Sequence, residues 1–176
     1  MRYTLKSGIL YLEPSHDALA KIKSALTGPV KRILRKDDEL VLKADVRCPD
    51  ASRQYSGDAR DREYILLDGG DGIVVSARPD YAEGETSDAA MRSLYRMPRV
   101  DHARLTIGDA AYVLTMHNSQ RYTMADAQGR ELLRVAHKGL AGGWQLEDEG
   151  GFSPEMLCGL FIFCRYIEQE NEMLIV

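Results

Sequence analysis

Nine consecutive residues, Met156 to Cys164, carry no charged or amide side chain, and this run constrains the fold more than any other part of the chain. Ser153 is placed to cap a helix ahead of it, Pro154 suits the first helical position, and Glu155 complements the positive end of the helix dipole. A helix built from this run is apolar on every side, so it must be surrounded. A bilayer is the wrong surrounding: the run is far short of the roughly 20 residues that cross a hydrocarbon core, and Glu155 and Arg165 close it at either end. Arg165, Glu168, Gln169 and Glu170 then carry the helix into water before a strand-like tail, Met173 to Val176.

Most of the remaining chain is written as short strands. Leu40, Leu42, Ala44 and Val46 alternate with Val41, Lys43 and Asp45, as expected of a half-buried strand. Tyr64 to Leu67 and Ile73 to Ala77 flank the loop Asp68 to Gly72 and predict a hairpin. Downstream, Ala103 to Ile107, Ala111 to Met116, Tyr122 to Ala125, Glu131 to Lys138 and Trp144 to Glu147 predict a meander of five strands. A sheet curled around the apolar helix supplies the missing surrounding. Residues 15–26 stay open: Ser15 or Asp17 is placed to cap a helix with Leu19, Ile22 and Leu26 on one face, whereas Ala20, Ile22 and Ser24 suit a strand. Residues 79–101 have mixed charge and no apolar periodicity and read as a long surface loop. Tyr64, Asp68 and Gly72 are echoed by Tyr122, Asp126 and Gly129, a pattern that either turn chemistry or an internal duplication produces. At 176 residues the whole chain, 1–176, is expected to form a single domain.

The order Tyr122, Asp126 and Gly129, then Leu133 to Lys138, then Trp144 to Glu147, ending in the apolar helix, resembles the tubby C-terminal-like families, among them the LURP-one-related proteins and small bacterial relatives. The resemblance is best from Ala103 to Glu172. It implies a closed antiparallel β-barrel of about twelve strands threaded by a hydrophobic C-terminal helix. Eukaryotic tubby proteins bind phosphoinositides through basic side chains, but no such motif matches this chain residue by residue, and that activity is not carried over.

The chemistry-bearing residues form no catalytic signature. His16, His102, His117 and His137 are widely spaced and lack metal-ligand intervals; His117 and His137 are the one pair that a meander would bring near each other. Cys48, Cys158 and Cys164 form no CxxC, and the last two lie inside the helix about 120° apart around its axis, so they read as core thiols of a reducing compartment. Gly69 to Gly72 lacks the Lys and Ser or Thr of a phosphate loop, and Gly139 to Gly143 reads as a turn before a core Trp144. With 23 Lys and Arg against 27 Asp and Glu, the net charge of −4 provides no global field for nucleic acid, so anion binding requires a local patch.

That patch is Lys31, Arg32, Arg35 and Lys36, with Lys43 as a further contributor. On a regular strand it is split, Arg32 and Lys36 on one face, Lys31 and Arg35 on the other. The expectation is therefore a cytoplasmic, non-enzymatic binding module without a cofactor, acting on a protein partner or, through this patch, on anionic phospholipid headgroups. A hydrolase using Cys48 or a histidine is the third reading. Because the helix fills the barrel, any site is expected on the outer strands, loops or rim.

Overall fold

A computed structural model describes residues 1–25, 28–85 and 99–172. Twelve strands run in sequence order: β1 (Arg2–Lys6), β2 (Ile9–Leu12), β3 (Ala18–Ser24), β4 (Lys31–Arg35), β5 (Leu40–Arg47), β6 (Glu63–Leu67), β7 (Ile73–Tyr81), β8 (Val100–Ile107), β9 (Ala110–Asn118), β10 (Arg121–Asp126), β11 (Glu131–His137) and β12 (Trp144–Asp148). Each pairs antiparallel with its neighbour in sequence, and β1 pairs with β12, so the sheet closes on itself. One helix, α1 (Pro154–Glu172), follows.

Alternation decides which side chains enter the barrel. Tyr3, Leu5, Leu10, Ala20, Ile33, Ala44, Tyr64, Leu66, Val75, Ala77, Leu105, Leu114, Tyr122, Met124, Val135 and Leu146 are buried in a single core with Leu157, Leu160, Phe163, Cys164 and Ile167 of α1. Charged side chains such as Lys23, Arg32, Arg78 and Arg104 are exposed. This arrangement, apolar inward and charged outward, is the reverse of the outward apolar band of a membrane-spanning barrel. Among the described residues no helix is long and apolar enough to cross a membrane.

The helix begins as its sequence dictates: the Ser153 hydroxyl accepts a hydrogen bond from the Met156 amide at 3.1 Å. Burial of its side chains supplies roughly 1.5–3 kcal/mol for each large apolar residue. It lies closest to β3, β4, β5 and β8. On the opposite side the space is taken by aromatic rings, with Trp144 packed at 5.3 Å from Phe161 and 6.0 Å from Tyr122.

Side-chain hydrogen bonds tie down its carboxyl half. Tyr166 donates to the Pro29 carbonyl (2.7 Å), and the Asn171 amide exchanges hydrogen bonds with both backbone groups of Val100, each 2.9 Å. Glu170 accepts from Arg62 Nε (2.8 Å) and from the Tyr64 hydroxyl (3.2 Å).

One open choice is settled and one expectation changes. Residues 18–24 are strand β3, not helix, because Leu10 and Ala20 on one side and Ile22 and Ile33 on the other pair across neighbouring strands. The predicted loop at 79–101 is shorter: Pro79, Asp80 and Tyr81 continue β7 and pair with Ala103, His102 and Val100 of β8. The middle of that segment, 86–98, and the tail Met173 to Val176 lie outside the described residues. The echoed turns share one geometry. Asp68 Oδ1 accepts from the amides of Gly70 and Gly72, and Asp126 Oδ1 accepts from those of Gln128 and Arg130.

Candidate functional site

The basic residues singled out in the sequence do not form one cluster. β4 stays in register with β3 from Lys31 to Arg35 and its register with β5 shifts at Val41, so Arg35 lies opposite the core residue Ala20 while Arg32 lies opposite the exposed Lys23. Arg35, near the amino end of α1, contacts Glu39 (2.8 Å) and Glu155 (3.2 Å). Its hydrogen bond to Glu155 and the neighbouring Glu39 charge raise its pKa further, so this cation is already engaged. Lys36 lies in the β4–β5 turn and is exposed.

Arg32 faces a different neighbourhood. It sits directly opposite Lys23 on β3 and directly opposite Lys43 on β5. Three cations thus form a row across three adjacent strands of the outer face, spanning about 10 Å at the usual interstrand spacing. Cross-strand pairs of like charge are destabilising, and the row has few internal carboxylates to relieve it. Asp38 bridges Lys21 (3.2 Å) and Lys23 (3.3 Å), and Asp71 holds Lys43 (2.9 Å). The hydrogen bonds from Lys21 and then Lys23 keep the Asp38 carboxyl below its ordinary range. Among the described residues, Arg32 has no carboxylate within ion-pairing distance, and Lys31 at the strand end donates only to the Ser24 hydroxyl (3.0 Å).

Of the five expected residues, Arg32 and Lys43 are therefore joined in one surface and Lys31 borders it, while Arg35 and Lys36 lie towards the other end of the hairpin. Lys21 and Lys23 complete the face and were not expected. Their signal was present as a pair spaced by two residues, which identifies a shared outer face only once residues 18–24 are read as strand.

The catalytic alternatives find no assembled site. Cys48 is half-buried and donates to the Asp50 carbonyl (3.0 Å). Burial pushes the thiols of Cys158 and Cys164 far above their ordinary range. His117 bonds the Thr123 hydroxyl (2.8 Å) and His137 packs edge-on against Trp144. His102 lies 2.6 Å from Asp101 and 4.0 Å from Asp80. No group of three or more His, Cys, Asp or Glu that would hold a metal ion is found among the described residues.

A concave region opens at the barrel mouth, where Pro29, Val46, Arg62, Tyr166, Gln169 and Glu170 line a pocket of about 300 Å³. No family model, no curated protein and no solved structure matches the chain.

Proposed function

We propose that this protein is a non-catalytic binding module whose outer face on β3, β4 and β5 holds a phosphate-bearing anion, in the first instance the headgroup of an anionic phospholipid. The carrying observation is the row Lys23, Arg32 and Lys43, three cations placed directly opposite one another with no carboxylate on the central one. A fold tolerates such a row at a cost in stability, and a bound polyanion removes that cost. A phosphate is the natural counter-ion because it accepts several charge-assisted hydrogen bonds at once, including the bidentate fork of an arginine. The tubby-like resemblance agrees with this reading but does not carry it, since no residue-level motif is shared.

Co-sedimentation with vesicles tests the proposal. Binding is expected to vesicles containing a phosphomonoester lipid and not to zwitterionic ones, and to weaken steeply with salt. At about 1 kcal/mol for each basic residue near a charged bilayer, the double variant R32E/K43E should lose at least tenfold in affinity. Competition by the water-soluble headgroup separates recognition of the phosphate itself from recognition of a surface. Unchanged vesicle binding by R32E/K43E removes the site.

A further inference from the structure

The pocket at the barrel mouth lies next to the basic face and differs from it in every chemical respect. Along β5, Val46 is three residues from Lys43; along the chain, Pro29 is three residues before Arg32. At about 3.3 Å per extended residue the two regions are roughly 10 Å apart along the strands, with Lys43 on the outer face and Val46, opposite the core residue Tyr64, on the inner one. Lys31 lies between Pro29 and Arg32 in the chain, half-buried, its ammonium donating to the Ser24 hydroxyl.

Apart from Gln169, which is exposed at its mouth, the polar groups around the pocket are already spent on each other. Arg62 is bonded to Glu170, Tyr64 donates to Glu170, and Tyr166 donates to the Pro29 carbonyl. What remains for a ligand is the side of Val46, the ring of Pro29 and the face of Tyr166. Beyond Gln169, a polar group entering here would lose water for few partners, whereas an apolar one has no hydrogen bonds to lose. A pocket of about 300 Å³ with such walls is of the size that takes a small apolar group.

Resting on the anion site proposed above, we infer that the ligand is an amphiphile: its anionic head lies on Lys23, Arg32 and Lys43, its chain crosses the rim beside Lys31, and its apolar end fills the pocket between Val46, Pro29 and Tyr166. Arg32, which has no carboxylate partner among the described residues, between two further cations and near an apolar pocket, specifies that occupant by charge complementarity. A fully water-soluble polyanion would leave the pocket unused, and a neutral lipid would leave the row unused.

Titration calorimetry with two soluble probes tests this: dioctanoyl phosphatidic acid below its micellar concentration, and glycerol 3-phosphate, which carries the same phosphomonoester without the chains. The lipid is expected to bind at least about tenfold more tightly, the gain that burial of a few methylenes gives. Gln169 is exposed at the pocket mouth, so Q169W covers the pocket at little risk to folding, and V46W fills it from within. Both variants should remove the preference for the lipid while leaving glycerol 3-phosphate binding intact, and R32E should weaken both probes. Equal affinities in the native protein, or a lipid preference that survives Q169W, overturn the amphiphile while leaving the anion site standing. Failure of both probes to bind overturns the anion site and the amphiphile with it.

Discussion

Glu170 lies in the last turn of α1, where a negative charge meets the negative end of the helix dipole, and its side chain is only 5% exposed. It survives there because Arg62 grips both carboxylate oxygens and Tyr64 donates a third hydrogen bond. Burial, with the Glu170 charge beside it, holds the Tyr64 hydroxyl well above its ordinary pKa, so it remains a donor. Glu170→Gln leaves the Arg62 charge without its counter-ion. Breaking a fully buried pair costs about 3–5 kcal/mol. Arg62 keeps about a quarter of its side chain in water, so a loss of roughly 2–3 kcal/mol is expected, measured as the free energy of unfolding in urea; an unchanged midpoint would show that water replaces the carboxylate. At this scale the sequence was only partly readable. Glu170 was expected to meet water, because nothing in the order of residues reveals an arginine 108 positions earlier that folds against it.

The helix approaches β6 more closely than any side chain at position 159 would permit. A Cβ on Gly159 would stand 2.3 Å from one methyl of Leu66 and 2.9 Å from the other. Alanine is about 1 kcal/mol better than glycine inside a helix, but overpacking a filled core costs about 1–3 kcal/mol. Gly159→Ala is therefore expected to destabilise the protein despite its better propensity, and Leu66→Val in the same chain should recover part of the loss; thermal unfolding of the single and double variants decides it. Elements with a strong local rule were legible: the cap at Ser153, the apolar run of α1, the hairpin across Asp68 and the five-strand meander from Ala103. Those whose rule is shared by two structures were not. The spacing of Ala18 to Ser24 suits helix and strand equally, and only pairing with Leu10 and Ile33 settles it. The order of residues separated Arg32 from Lys31 and Arg35, but it could not show that Arg32 lies opposite Lys23 and Lys43, which only the strand pairing reveals.

Closure of the barrel depends on one seam between distant parts of the chain. Tyr3 lies opposite Leu146 and Leu5 opposite Trp144, joining the first strand to the twelfth. Removal of residues 1–6 would leave β2 and β12 as edges with unpaired backbone groups, which invite pairing with another chain. That truncation is expected to form concentration-dependent oligomers in size-exclusion chromatography, in contrast to the full chain; identical elution of the two would show that the seam does not guard an edge.

The order of the elements along the chain has a consequence in time. Among the described residues every strand is synthesised before α1, the element that fills the barrel. At about 5–20 residues per second the helix takes roughly one to four seconds to appear. During that interval the polypeptide has all twelve strands and no stuffing for them, so the inward faces of Leu66, Leu105 and Leu133 await a partner that the ribosome has not yet delivered. A nascent chain of this design is a sleeve before it is a filled barrel, and the cell must keep it from collapsing or binding a neighbour until that helix arrives.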